Sequence, residues 1–143
     1  MSKESGPSAE IARAALIRLR TGARLSLREL AAELPDGPGA MSHSAIGEVE
    51  RGVRRLGLDE VFALAATLRV SPLAFLIPGG DDPDMPVALT GLAAPLPAAA
   101  ALSWLQGLAP ADPAEAADSH EAEAFRRRSL PEWWNRHPDK GIR

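Results

Sequence analysis

The sequence of 143 residues contains no cysteine and no tyrosine, and its aromatic residues are limited to three Trp and three Phe. Without cysteine, the chain has no disulfide scaffold, no thiolate metal ligand and no cysteine nucleophile. It also lacks any run of roughly 20 apolar residues, the length that a membrane-spanning helix requires. Residues 1–8 contain no apolar signal core. We therefore expect a cytoplasmic protein that has no membrane segment.

Strand-forming residues are scarce as well, because Val, Ile, Thr and aromatic side chains never alternate over a usable window. The fold is therefore predicted to be all-α. Of the 143 residues, 27 are alanines, so large apolar side chains are fewer than the overall hydrophobic fraction suggests. We expect a core smaller than the chain, with the remainder held more loosely.

Residue sets that support catalysis are also missing. The three histidines, His43, His120 and His137, are scattered and have neither metal-ligand nor triad spacing. The acidic run 81–84 is typical of an exposed linker rather than a magnesium site. We expect no enzymatic activity, no cofactor and no bound metal.

The formal net charge of −3 is unevenly distributed. Residues 1–78 contain ten basic and nine acidic residues, for a net charge of +1, whereas residues 79–143 contain six basic and ten acidic residues, for a net charge of −4. The stretch 11–28 contains five arginines and no acid, and Arg51, Arg54 and Arg55 form a second cluster. Such clusters are typical of phosphate-binding surfaces, and also of the solvated faces of amphipathic helices.

Apolar residues spaced three and four apart predict five short helices before Pro78. Ser8 is the expected cap of the first helix. Ser26 and Glu29 form a capping box at the start of the second. Ser42 is expected to cap the third, and Ser71, followed by a proline, the fifth. The predicted helices span about 8–21, 26–34, 42–51, 58–69 and 71–77.

Composition divides the chain into four parts. Residues 1–8 are predicted to be a flexible N-terminus and 9–78 a compact helical domain. The Gly-, Asp- and Pro-rich residues 79–96 are typical of an exposed linker. Residues 97–143 are predicted to be a helical C-terminal segment, in which one helix begins at Asp112.

The successive pieces Leu19-Arg20, Leu25 to Leu34, Ser42 to Gly52 and Leu68 to Leu76 resemble, in order and spacing, the helix-turn-helix domain of phage repressor and Cro-type regulators, the XRE-like family. The resemblance covers roughly residues 11–78. It implies a five-helix domain that places helix three, about 42–51, in the major groove of double-stranded DNA. A DNA-binding domain this small usually needs a second copy to reach useful specificity, because two half-sites multiply the contacts, so we also expect a homodimer.

The resemblance further implies roles for individual residues. Arg20 and Glu50 correspond to a structural salt bridge between helix one and the end of helix three. The outward residues of helix three are the expected base contacts: His43, Ser44, Gly47 and Glu48. Polar and basic residues around the two helix starts and the following loop are the expected phosphate contacts: Arg24, Arg28, Ser42, Arg51, Arg54 and Arg55.

Two features depart from the family pattern. Leu27 stands where the family typically has a glutamine that helps to bind phosphate. The turn 35–41 between helices two and three is about five residues longer than usual. We expect the extra residues to loop outward and to meet the sugar-phosphate backbone through glycine amides. The alternative is that the domain no longer binds DNA in the usual way, but the retained basic residues favour the first interpretation.

The C-terminal segment contains large apolar residues in polar surroundings, which is typical of partner-binding surfaces. These residues are Phe125, Leu130, Trp133 and Trp134. The sequence therefore predicts a sequence-specific DNA-binding transcriptional regulator that acts as a homodimer. The alternative is a protein-interaction module or antitoxin-like regulator that acts mainly through this segment.

Overall fold

A computed structural model describes residues 4–137, which divide into two compact units. The first unit contains the described residues up to Asp81 together with Ala88–Gly91. The second contains Asp82–Val87 and the described residues from Leu92 onward. Apart from one small sheet, the described elements are helical, which confirms the all-α prediction.

The first unit contains four α-helices and a short 3₁₀ helix. They are α1 (Pro7–Gly22), α2 (Leu27–Glu33), α3 (His43–Glu50), α4 (Leu58–Leu68) and the 3₁₀ helix (Pro72–Phe75). The predicted caps of α2 and α3 are confirmed: the Ser26 hydroxyl accepts from the Glu29 amide, and that of Ser42 from the Ala45 amide.

The start of α1 differs from the prediction. Its N-cap is Gly6 and its first residue is Pro7, so the helix begins before Ser8. The Ser8 hydroxyl instead accepts a hydrogen bond from the Thr90 amide at 2.9 Å, and the Thr90 hydroxyl accepts one from the Ser8 amide at 3.2 Å. The expectation that Ser8 caps the helix is wrong because a residue 82 positions away satisfies its side chain.

The fifth helix also differs, because the segment after Ser71 forms a 3₁₀ helix of four residues rather than an α-helix. Phe75, at its end, is completely buried. A length of four residues is typical of a 3₁₀ helix. The element places one aromatic ring, that of Phe75, in the core.

The core of the first unit is formed by side chains from all five elements. Burying each large aliphatic side chain contributes about 1.5–3 kcal/mol. One member, Met41, comes from the long turn rather than a helix. The buried set is Ala15, Leu16, Leu30, Leu34, Met41, Ile46, Val49, Val61, Leu64, Ala65 and Phe75.

The second unit contains two short strands and four helices. β1 (Pro86–Val87) pairs antiparallel with β2 (Leu96–Pro97). The helices are α5 (Ala98–Leu105), α6 (Pro113–Ala117), α7 (Ser119–Ser129) and α8 (Glu132–Arg136). Three of the four sheet residues lie in the segment 79–96, where the sequence predicts an exposed linker, and Val87 and Leu96 are buried. This part of the chain is therefore folded.

The predicted helix after Asp112 is interrupted. Asp112 caps α6 as expected, but Asp118 ends that helix and its carboxylate caps α7 by accepting from the amides of His120 and Glu121. An aspartate that bonds the backbone in this way competes with helix continuation.

The candidate partner-binding residues have different environments. Phe125, Leu130 and Trp134 are half-buried, whereas Trp133 is 62% exposed. The two tryptophan rings meet edge to face, with centroids 6.1 Å apart. No helix within residues 4–137 has the length and apolar character needed to cross a membrane.

Candidate nucleic-acid interface

The face of α3 turned away from the core contains most of the residues expected to meet bases. Ile46 and Val49 of this helix are buried. On the other side, Ser44 is exposed, and His43 and Glu48 are half-buried. The packing of Ile46 and Val49 therefore leaves a short polar face with hydroxyl, imidazole and carboxylate groups, all of which can bond base edges.

Gly47 does not belong to this exposed face, because it is buried. A Cβ built on Gly47 would lie 3.0 Å from Arg51 Nη1 and 3.5 Å from Leu27 Cδ1. The expectation that Gly47 faces outward is wrong because these two neighbouring side chains cover it.

An ion pair between Arg20 and Glu50 connects α1 to the end of α3. Arg20 Nε donates to Glu50 Oε1 at 2.6 Å, and its Nη2 donates to Oε2 at 3.0 Å. The third donor, Nη1, bonds the Leu25 carbonyl at 2.8 Å. The hydrogen bond to Glu50 raises the pKa of Arg20, against the opposing effect of burial. Because the guanidinium is held at three points, the pair fixes the angle at which α3 is presented.

Three exposed arginines lie at the ends of α2 and α3. Arg28 is the second residue of α2, and Arg51 is the C-cap of α3. Arg24 lies in the turn before α2 with a φ of 60°, in the left-handed region. Within residues 4–137, none of the three has an ion-pair partner. Their charge is therefore available to an anionic ligand.

Two other predicted phosphate contacts already hold bonds inside the unit. Arg54 donates to both carboxylate oxygens of Glu60, at 3.1 Å and 2.7 Å. This hydrogen bonding raises the pKa of Arg54. Arg55 donates to the Glu4 carbonyl at 2.7 Å. The hydroxyl of Ser42 is likewise used as the α3 cap. A phosphate would compete with the bonds of Arg54 and Arg55, whereas the Ser42 hydroxyl accepts in its cap and can still donate to a phosphate.

The long turn between α2 and α3 packs against α4. A Cβ on Gly39 would lie only 2.6 Å from the Asp59 carbonyl oxygen and 2.7 Å from Ala63 Cβ, and Gly39 has a φ of +86°. Met41 follows into the core, where it is 6% exposed. The expectation that the insertion loops outward holds for residues 35–38, which are exposed, but not for its second half, which Gly39 and Met41 hold against the domain.

Sequence reasoning missed the contacts of Leu27 and Arg51 with Gly47 and the pairing of Ser8 with Thr90. The four-residue spacing between Gly47 and Arg51 was a usable signal, because such residues are neighbours on a helix surface. For Thr90 there was no local signal. Within residues 4–137, no three His, Asp or Glu side chains converge on a position that could hold a metal ion.

Comparison with known proteins supports the geometry of the first unit. Residues 16–75 match the family model of helix-turn-helix domains. This range contains α2, α3 and α4 completely and ends at the last residue of the 3₁₀ helix. No curated protein and no solved structure matches the chain. Residues 16–75 therefore form a helix-turn-helix domain of the XRE type, which supports DNA binding by the first unit.

Proposed function

We propose that the protein is a sequence-specific transcriptional regulator that inserts α3 into the major groove of its operator. The observation that supports this most directly is the exposed polar face of α3, which is held by the Arg20–Glu50 pair and has the unpaired Arg51 at its end. Arg28, on the first turn of α2, is unpaired as well. A rigid helix with a cation at its C-terminal end, and a second cation on the first turn of the preceding helix, provides base contacts and backbone anchoring together.

In this proposal, His43, Ser44 and Glu48 contact base edges. Glu48 would accept from a cytosine amino group, and Ser44 and His43 can donate or accept. Arg24, Arg28 and Arg51 are the stronger candidates for phosphate contacts, with Ser42 beside them. Arg54 and Arg55 are weaker candidates because each donates within its own unit.

Binding to duplexes selected from a randomised library tests the proposal, with gel shift at several salt concentrations. Each phosphate contact contributes about 0.9 to the slope of log affinity against log salt. We expect Arg28→Ala and Arg24→Ala each to weaken binding and to reduce the slope by about that amount. Arg69→Ala is the matched control, since Arg69 is exposed at the end of α4. Binding by the intact protein that does not depend on salt would contradict the proposal.

We further propose that the regulator is a homodimer and that the second unit supplies the contact. Trp133 is 62% exposed and Leu108 is 41% exposed, and exposed tryptophan is enriched at binding hot spots. The first unit offers a rival surface on α4, where Leu58 and Phe62 are 75% and 57% exposed.

Sedimentation equilibrium of two variants distinguishes these surfaces. Trp133→Ala should shift the chain toward monomer, and Leu58→Glu combined with Phe62→Glu should not. The reverse result would move the dimer contact to α4. A chain that sediments as a monomer in every form would overturn the dimer proposal.

The same exposed Trp133 supports the alternative function, a regulator that acts through a different protein. Under this alternative, Trp133→Ala leaves self-association and operator binding unchanged but abolishes regulation of a reporter gene. Loss of the dimer together with weaker operator binding favours the homodimeric regulator instead.

A further inference from the structure

The side chain of Arg51, the C-cap of α3, lies back over the preceding turn of the helix. Its Nη1 atom lies 3.0 Å from the point where a Cβ of Gly47 would stand. The guanidinium therefore occupies the space of a side chain at position 47, one helical turn back from its own Cα. This space borders Ser44, three residues earlier on the same side of α3. Arg51 thus places a cation beside the polar face of α3.

No acidic group near Arg51 in sequence, Glu48 included, forms an ion pair with it within residues 4–137. Glu50, the preceding residue, bonds Arg20 through both carboxylate oxygens. Glu60 bonds Arg54 in the same way. Among residues 4–137, Arg51 has no ion-pair partner, and its side chain is exposed. Its planar set of N–H donors is consequently available to a ligand that approaches α3.

We propose that Arg51 reads a guanine in the major groove and that Gly47 is the positioning residue that makes room for it. The inference rests on the proposed function and deepens it by naming a base. Guanine presents two acceptors, O6 and N7, on its major-groove edge, and a guanidinium can donate to both at once. Arg51 is then a specificity determinant rather than only one more phosphate contact.

Glycine at position 47 suits this role because any side chain would compete with the guanidinium for the same space. Ala at this position would leave the fold intact, since Leu27 Cδ1 would stand at an ordinary 3.5 Å and the obstructing atom is the end of a flexible side chain. The guanidinium is what would move. Bidentate contacts tolerate displacements of only about 0.5 Å. The preference for guanine over the other bases should therefore weaken while the domain remains folded.

Selection of binding sites from a randomised duplex library, with the full chain and four variants, tests the proposal. We expect the wild type to select a guanine whose preference falls about tenfold or more in Arg51→Ala. Arg51→Lys keeps the charge but lacks the paired N–H donors of the guanidinium. It should therefore keep the slope of log affinity against log salt and lose the preference for guanine. Gly47→Ala should show a smaller loss with an unchanged or higher melting temperature. Arg28→Ala is the control, because its loss should be equal for all sequences.

Replacing the selected guanine by 7-deazaguanine, which lacks the N7 acceptor, gives a second readout. The wild type should bind this duplex more weakly, and Arg51→Ala should not distinguish it from the parent duplex. Equal sensitivity in both proteins, or a sequence-independent loss in Arg51→Ala like that in Arg28→Ala, would overturn the proposal. An additional loss from Gly47→Ala in the Arg51→Ala background would overturn the positioning role of Gly47. Failure of the wild type to select any site would overturn the proposed function itself.

Discussion

At the scale of single residues, the contacts of Glu50 show how much the orientation of α3 depends on one carboxylate. Both oxygens are bonded to Arg20, and the side chains of the two residues are only 12% and 16% exposed. Since little water reaches the pair, removing either partner leaves the other charge poorly solvated. Glu50 is therefore a structural residue, although it lies on the helix proposed to read DNA.

Replacing Glu50 by glutamine should lower the free energy of unfolding by about 1.5–3 kcal/mol, the range for hydrogen bonds to charged groups. Urea unfolding measures the change. Glu10→Gln is the matched control, since the Glu10–Arg13 pair is more exposed and its loss should cost less than about 1 kcal/mol. Equal losses of unfolding free energy in the two variants would mean that the Arg20–Glu50 pair stabilises the fold no more than the exposed Glu10–Arg13 pair does.

Glu60 makes stability depend on pH. Burial raises the pKa of this carboxyl, but the hydrogen bonds from Arg54 and the Gly57 amide lower it by a larger amount. The pKa is therefore below its ordinary value of 4.5. The charged form is therefore favoured in the folded state, and its contribution is present above about pH 4.5 and lost as the pH falls through the folded pKa.

The stability difference between wild type and Glu60→Gln should accordingly be largest near pH 7 and shrink toward pH 3. Urea unfolding at the two pH values measures this difference. Glu33→Gln is the control, because Glu33 is exposed and has no hydrogen bond within the described residues. A difference for Glu60→Gln that stays constant across this range would contradict the assignment.

At the scale of elements, the turn between α2 and α3 acts as a structural connection to α4. Gly39 approaches the backbone of Asp59 and the side chain of Ala63, and Met41 extends into the core. The insertion thus adds buried contacts to the helix pair, although the sequence favoured a solvent-exposed loop.

Gly39→Ala should destabilise the first unit by about 1–3 kcal/mol, because its φ of +86° is strained for alanine and the new Cβ would meet a backbone oxygen at 2.6 Å. Gly37→Ala provides a matched control: its φ is +104°, but nothing lies within 4 Å of the new Cβ. Thermal unfolding should show a clearly larger loss at position 39. Equal melting temperatures for the two variants would show that the close approach of Gly39 to α4 does not affect stability.

The elements that could be predicted were those with local causes. The Ser26–Glu29 capping box and the Ser42 cap are specified within four residues, and both helices begin where these caps indicate. The β1–β2 pair, the burial of Met41 and the break at Asp118 depend on partners or competing bonds that periodicity does not reveal.

The candidate site shows the same division. The resemblance located α3 and the Arg20–Glu50 pair, because both follow a spacing pattern. It did not reveal that Arg54 and Arg55 donate within their own unit or that Gly47 is covered. Side-chain partners of exposed arginines are set by the tertiary fold, so their availability could not be read from charge alone.

At the scale of the whole molecule, the first unit uses residues distant in sequence to secure α1. Leu89 is only 5% exposed, and Thr90 exchanges two hydrogen bonds with Ser8. The residues immediately before and after the segment Ala88–Gly91 belong to the second unit. The helical domain predicted as 9–78 is therefore smaller than the unit the chain forms.

Leu89→Ala should destabilise the first unit by about 2–5 kcal/mol, as expected for a large-to-small change at a buried site. Hydrogen exchange of the α1 amides, read together with urea unfolding, measures the effect. Leu108→Ala is the control, since Leu108 is 41% exposed and should lose far less. Unchanged protection of α1 in Leu89→Ala would mean that the segment is not needed by the unit.

The placement of Ala88–Gly91 also limits how this DNA-binding unit can be exchanged between proteins. The chain crosses between its two units after Asp81, after Val87 and after Gly91. A gene fusion that ends at Asp81 would leave Leu89 and Thr90 behind and remove both hydrogen bonds between Ser8 and Thr90. Recombination that transfers a working version of this unit must therefore carry the chain through Gly91, together with the first strand of the neighbouring sheet.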